Sequence, residues 1–257
     1  MGCYMKKIKI FVMVLVVASI FLGLVACKND KKDTGTKDPK VLVMGTNAAF
    51  PPFEYMEGGQ VVGLDAEMMA LIAKELGMEL KIVDMDFDSL PTALANGQID
   101  IIAAGLTVRP DREETMDFTD TYYTAAQTVI VLKDSGYEGI VDLSDKLIGV
   151  QTGTTGSFCA EEFVNDLSQI KTFQNGMLAV EALKNGQVDA VVIDNNPAKE
   201  YAEINSNLDL IEGEFADEMY AMAVAKGNKV LLDRVNEAFA KIRGNGEFDK
   251  IIDKYVK

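Results

Sequence analysis

Two arginines and one aspartate carry the most direct chemistry this chain offers. Arg109 and Arg112 lie in Thr107-Val-Arg-Pro-Asp-Arg-Glu-Glu114, just after a short apolar run, Ile101-Ile-Ala-Ala104. A guanidinium there presents a planar fork that matches a carboxylate bidentately. Either arginine could instead pair on the surface with Asp111, Glu113 or Glu114; the position after a strand end favours binding for one of them. Asp194 follows a second apolar run, Ala190-Val-Val-Ile193. It either caps the helix beyond it, a role Asp fills well, or faces the arginine across a gap. Opposite charges separated by a gap suit a zwitterion, with its carboxylate toward Arg112 and its ammonium toward Asp194; Arg109 is then a solvated surface residue. Gly153-Thr-Thr-Gly156 opens a helix, where free N–H groups and the helix dipole favour an anion. No lysine follows at the spacing of a nucleotide-phosphate loop, so this turn reads as a second donor set for a carboxylate. Phe50 and Phe87 each follow a strand and either fill the core or stack on a ligand's apolar stem.

A repeated unit delivers these groups. Ala93-Leu-Ala-Asn-Gly-Gln-Ile-Asp100 recurs as Ala182-Leu-Lys-Asn-Gly-Gln-Val-Asp189, identical at six of eight positions and offset by 89 residues. Each copy ends an amphipathic run in Asn-Gly, and glycine accepts the left-handed conformation that stops a helix. Each then enters a bare apolar run, which reads as a buried parallel strand. Ligands of open α/β sheets sit beyond the carboxyl ends of strands, so two such ends predict two lobes facing one cleft. Taken alone, the repeat also fits any αβ unit.

The rest of the pattern agrees. Strands are expected over 40–46, 80–83 and 99–104, with helices over 66–76, capped by Asp65, and 89–96. The order restarts with a strand over 146–152, helices near 158–167 and over 175–184, a strand over 188–193, a helix over 197–204 and an edge strand over 208–212. Extended runs at 122–132 and 219–225 link the halves, and helices over 229–243 and 247–255 follow. Alternation of β and α predicts an α/β fold with a doubly wound sheet in each lobe. The expected division is 40–126 with 218–257 for one lobe and 127–217 for the other, joined by two hinge crossings.

Residues 1–26 read as a signal peptide. Lys6, Lys7 and Lys9 precede an uncharged run over 10–25, shorter than the ~20 residues of a spanning helix, and Leu24-Val-Ala-Cys27 closes it. That ending resembles the lipobox of bacterial lipoproteins, which implies lipid on Cys27, an extracytoplasmic protein on the outer face of the cytoplasmic membrane, and attachment through that anchor. Residues 27–39 are polar, without aromatics, and read as a flexible tether.

Composition excludes several classes. Acidic residues outnumber basic ones by 40 to 25, and there is no histidine. That balance argues against nucleic acid as a partner, and histidine-based catalysis and histidine metal sites are removed together. No cofactor or metal is expected. With Cys27 lipidated, Cys159 is left without a partner, so the core must suffice without a disulfide.

In order along the chain stand Thr46-Asn-Ala-Ala-Phe-Pro-Pro-Phe-Glu-Tyr55, Gly63-Leu-Asp-Ala-Glu67, Asp84-Met-Asp-Phe87, Ala103-Ala-Gly-Leu-Thr107, Arg112, Asp117-Phe-Thr-Asp-Thr-Tyr-Tyr123, Gly153-Thr-Thr-Gly156 and Gly244-Asn-Gly-Glu-Phe248. Together they resemble bacterial solute-binding protein family 3, the polar amino-acid-binding proteins of ABC importers. The resemblance implies a type II periplasmic-binding-protein-like fold of two lobes closing on one free amino acid, a monomer that hands its ligand to a membrane permease. It implies that Arg112 clamps the α-carboxylate, helped by Thr107 and by Thr154 and Thr155. Gly105, Thr107 and Asp194 receive the ammonium, Phe50 and Phe87 sandwich the side chain, and Asn47 and Gln151 line the selectivity pocket. Several basic-amino-acid and glutamine binders carry Asp where this chain has Asn47, which places a neutral polar side chain slightly ahead of a basic one. Two rivals share the fold. A dehydratase-like enzyme would need a catalytic acid such as Glu54 or Glu161, for which no partner is evident. A ligand sensor acting on a soluble receptor is the other.

Overall fold

Alternate residues of a strand point to opposite faces, and here each face meets its own helices. The computed structural model describes residues 40–211 and 216–256; the expected signal peptide and the whole tether, Cys27 included, lie outside the described residues. The chain begins with β1 (Lys40–Thr46) and a small antiparallel sheet of β2 (Ala49–Phe50), β3 (Glu54–Glu57) and β4 (Gln60–Val62). Then come α1 (Leu64–Glu75), β5 (Met78–Asp84), α2 (Leu90–Ala95), β6 (Ile101–Ile102) and α3 (Pro110–Glu113). A 17-residue strand, β7 (Met116–Leu132), leads into β8 (Ile148–Gln151), α4 (Thr155–Phe163), β9 (Ile170–Phe173), α5 (Gly176–Lys184), β10 (Ala190–Asp194), α6 (Asn195–Ile204) and β11 (Leu208–Leu210). β12 (Asp217–Ala225) returns beside β7, and α7 (Lys229–Gly244) and α8 (Glu247–Tyr255) follow.

The main sheet runs β5-β1-β6-β12-β7-β10-β8-β9, with β11 also paired to β7. β1 is parallel to β5 and β6, and β8 is parallel to β9 and β10. Strand β7 serves both halves. As far as Ala126 it pairs with β12, opposite Asp217; from Gln127, opposite Asp194, it pairs with β10.

Four apolar clusters cover the faces. Leu42, Met44 and Ile101 pack with Ile72 of α1, Phe239 of α7 and Ile251 of α8, while Ile102 and Ala104 turn to Leu90 and Leu94 of α2. In the other half, Val191 and Ile193 meet Val180 and Leu183 of α5 and Tyr201 of α6; Val192 and Val150 meet Ala160 of α4. Each fully buried Leu or Ile contributes about 1.5–3 kcal/mol, which explains the unbroken apolar runs of strands covered on both faces.

The repeated unit is one structure built twice. Gly97 (φ +69°) and Gly186 (φ +68°) follow α2 and α5. Gly97 N and Gln98 N donate to Leu94 O and Ala93 O at 3.1 and 2.9 Å; Gly186 N and Gln187 N donate to Leu183 O and Ala182 O at 3.0 and 2.9 Å. This double bond pattern is the Schellman stop. Asp100 and Asp189 then each accept from the neighbouring strand, Val43 N and Leu147 N, both at 2.8 Å.

Three local expectations are corrected. Asp65 does not cap α1, which starts at Leu64 after Gly63; its carboxylate is buried instead. The run over 99–104 gives only two strand residues, because the chain turns away into Gly105. Helix α4 begins at Thr155, earlier than expected, since the Thr154 hydroxyl accepts from Ser157 N at 3.4 Å as its cap. Cys159 on α4 is a free, half-buried thiol, pushed up to about 11 by burial.

Candidate functional site

All ten residues singled out from the sequence meet around one cavity. Asn47, Phe50, Phe87, Gly105, Thr107 and Arg112 line it from the first half of the chain; Gln151, Thr154, Thr155 and Asp194 line it from the second. About 350 Å³ of space, open solvent included, lies among these residues, of which only about 20 Å³ admits the centre of a water-sized sphere. Ala104 and Glu54 complete the wall; the sequence reading had not placed them there.

Arg112 projects from the one-turn helix α3, whose Pro110 fixes the first turn. It is only 7% exposed. Its Nη1 donates to Thr107 O at 2.8 Å and its Nη2 crosses to Gly153 O at 3.0 Å. Burial, and then the neighbouring Arg109, bring its pKa down to about 10, which still leaves it charged at neutral pH. Arg109 is not a solvated residue. It holds Asp111 through Nε and Nη2, at 3.0 and 2.6 Å, and its guanidinium lies 4.2 Å over the Phe158 ring of α4.

Asp194 ends β10 and does not use its side chain as a helix cap. Tyr220 O–H donates to its Oδ2 at 2.5 Å. Burial, with Glu218 nearby, pushes its pKa up to about 7. Glu218 on β12 accepts from Gln127 Nε2 at 3.0 Å and from the Thr107 hydroxyl; burial raises it as well. Thr155 Oγ1 is buried close to the Glu218 carboxylate.

Gly105 sits where no other residue fits easily. Its φ is +53°, and a Cβ would come 2.7 Å from the Phe50 ring. Its N–H donates to Asp65 Oδ2 at 3.0 Å, and Tyr122 O–H donates to the same oxygen at 2.7 Å. Asp65 thus shapes the cavity from behind. Glu54 on β3 is 1% exposed, and neither carboxyl oxygen meets a donor from any described residue other than Asp65. Burial, followed by Asp65, raises its pKa well above the carboxylate range.

The two halves also bond directly across the cleft. Gln151 Nε2 donates to Asn47 Oδ1 at 3.0 Å, Tyr201 O–H to Ala49 O at 2.7 Å, and Asn196 Nδ2 to Tyr123 Oη at 3.0 Å. The arrangement is a closed one. It sets one fixed cation, several buried acids and two aromatic faces around one cavity, a lining whose chemistry suits a small zwitterion.

Comparison with known proteins agrees with this chemistry. Residues 42–257 match the family described as bacterial extracellular solute-binding proteins, family 3. The arginine-binding extracellular protein ArtP of Bacillus subtilis (strain 168) is 35% identical over 257 residues, covering 98% of each chain. The arginine-, lysine-, histidine-binding protein ArtJ of Geobacillus stearothermophilus is 35% identical with a TM-score of 0.81, over 84% of this chain and 95% of that one. An ancestral arginine-binding protein bound to glutamine is 36% identical with a TM-score of 0.81, over 85% of this chain and 99% of that one.

Proposed function

The chain belongs to the bacterial extracellular solute-binding proteins, family 3, with their two-lobed type II fold, and from that premise we propose that it captures a cationic L-amino acid, arginine first, for an ABC importer. Delivery of an amino acid to an importer follows from the family and its relatives; the choice of ligand rests on Glu54. A carboxyl group on the cavity wall, with no donor of its own, is a ready partner for a guanidinium or ammonium side chain. Asn47 alone pointed to a neutral side chain. Glu54 supplies the acid that Asn47 lacks and reverses that preference, while the glutamine-bound relative indicates that such a cavity also admits a neutral amide.

In this reading Arg112, with Thr107, Thr154 and Thr155, takes the α-carboxylate. Asp194, Gly105 and Thr107 take the ammonium. Phe50 and Phe87 flank the side chain, and Asn47, Gln151 and Glu54 read its end. Burying a zwitterion is costly unless both charges are paired. Each lobe contributes partners, so the ligand binds the closed form better than the open one and drives closure. A membrane permease then receives the closed form, and ATP is hydrolysed elsewhere.

We take the lobes as 40–126 with 218–257, and 127–217. Residues 1–26 serve as the signal peptide and 27–39 as the tether; lipid on Cys27 holds a monomer at the outer face of the cytoplasmic membrane. Cys27→Ser should abolish fatty-acid labelling, and persistent labelling overturns the anchor. The relatives are binding proteins, and we read this chain as one rather than as an enzyme.

A thermal-shift screen of the twenty amino acids, ornithine and citrulline tests the ligand. Arginine at a hundred times its dissociation constant should add about 2.7 kcal/mol of stability. A screen in which only acidic or apolar amino acids stabilise the protein overturns the choice.

A further inference from the structure

The reading of Glu54 as partner to a cationic side chain leaves open its own charge, and the residues behind it decide that. Glu54 lies on β3 and Asp65 on α1, and their carboxyl groups interact directly. Asp65 Oδ2 is satisfied by Gly105 N–H and Tyr122 O–H. Asp65 Oδ1 and both Glu54 oxygens meet no donor from any other described residue, which leaves the two carboxyl groups to bond each other. The other groups facing Glu54 are Asp84 of β5, Tyr122 of β7, Asp194 of β10 and Tyr201 of α6. All are acids or phenols; the cavity's cation, Arg112, is engaged by Thr107 O and Gly153 O. Two buried carboxyl groups in contact cannot both ionise without a compensating charge, and they hold one proton between them. Two donors stabilise a charge on Asp65 and none meets Glu54, so the shared proton resides on Glu54; burial raises the pKa of both. Asp65 keeps its negative charge, held by its two donors.

We propose that burial on the cavity wall, reinforced by Asp65, makes Glu54 a cation-for-proton exchanger: Glu54 is a neutral acid in the free site, a cationic side chain displaces its proton to solvent, and a neutral side chain leaves it in place. The Glu54 O–H bond breaks, its electron pair stays on the carboxylate, and bulk buffer takes the proton. The cavity total of charge is then unchanged by a cationic ligand side chain. A neutral amide meets a carboxyl group that can both donate and accept. Asp65 does not line the cavity, so it is a positioning residue that sets specificity through Glu54.

Arginine and citrulline share their α-groups and shape and differ in side-chain charge, so any proton exchange at Asp194 cancels between them. Each is titrated calorimetrically into the full-length protein in detergent at pH 7, in two buffers of different ionisation enthalpy. Arginine should release about one proton more than citrulline. The ratio of arginine to citrulline affinity should rise up to tenfold per pH unit between pH 5.5 and 7.5. Glu54→Gln should abolish both the extra proton and the pH dependence of the ratio. Asp65→Asn should reduce the extra proton in part and move the pH dependence downward, because burial of Glu54 remains; a merely structural Asp65 would leave both unmoved. Arginine binding with the same proton count as citrulline overturns the exchange and leaves the cationic-ligand reading intact. Failure of arginine, lysine and ornithine to bind overturns that reading and the exchange with it.

Discussion

Gln151 and Asn47 join across the cleft: Gln151 Nε2 donates to Asn47 Oδ1 at 3.0 Å while Asn47 Nδ2 donates to Met85 O at 2.9 Å. Both ends of the Asn47 amide are therefore used, which fixes its orientation. Asn47→Asp keeps the acceptor for Gln151 and turns the donor facing Met85 O into a second acceptor. The free protein should lose about 1–3 kcal/mol. Arginine should gain on citrulline by at least about tenfold, the worth of one charge-assisted hydrogen bond. Calorimetry at pH 7.5 reads the ratio, and an unchanged ratio means that residue 47 does not face the ligand's side chain.

Arg112→Ala should be the most damaging single change to binding. It removes the cavity's cation and its bridge to Gly153 O. Breaking a buried ion pair from one side costs about 3–5 kcal/mol, so affinity should fall by about two to three and a half orders of magnitude. Arg109→Ala removes the stacking on Phe158, worth about 0.5–1 kcal/mol, and should weaken binding only about two- to fivefold by loosening closure. The reverse ordering would mean that the α-carboxylate lies over α4 rather than at Arg112.

Gly105→Ala tests the turn behind the ammonium site. The left-handed backbone costs a non-glycine residue about 1–2 kcal/mol, and the new methyl collides with Phe50. Circular dichroism should show an intact fold while binding weakens at least about tenfold. Unaltered affinity would place the ligand elsewhere in the cleft.

The buried acids predict how stability follows pH. Asp65 and Asp194 lie at about 6 and about 7 in the fold, above the ~3.9 of an unfolded Asp. Between these values the folded state holds more protons than the unfolded one, so stability falls as pH rises. The ligand-free melting temperature should be highest near pH 4–5 and drop by at least about 2–4 °C by pH 8, the equivalent of about 1 kcal/mol. Saturating arginine, whose ammonium pairs with Asp194, should flatten that decline. A ligand-free melting temperature that climbs from pH 5 to 8 would show these carboxylates to be ionised in the fold at low pH.

Periodicity and stop signals made most of the architecture legible. The Asn96-Gly97 and Asn185-Gly186 stops end helices as read, and the strand runs beyond them are buried on both faces. The lining residues were legible too, chiefly because the order of motifs resembles a family; spacing alone gave the Arg112–Asp194 opposition. Glu54, Glu218 and Asp65 were not legible as buried acids. A carboxylate within a short hairpin or the first turn of a helix reads as solvated or capping, since burial depends on which distant elements cover it. Arg109 was misread for the same reason: Phe158 follows it by 49 positions in sequence, and only closure brings the two together.

Strand β7 departs from one half of the sheet at Ala126, and β12 re-enters it at Asp217, the residue paired with Ala126. The intervening segment is thus inserted at a single point, its two ends side by side. A cassette with that geometry can be exchanged between relatives by two adjacent cuts, provided that contacts across the cleft such as Gln151–Asn47 and Tyr220–Asp194 are matched. Because each half of the cavity lies on its own side of those cuts, such a graft separates ancestry for Arg112, Phe87 and Glu54 from ancestry for Asp194 and Gln151.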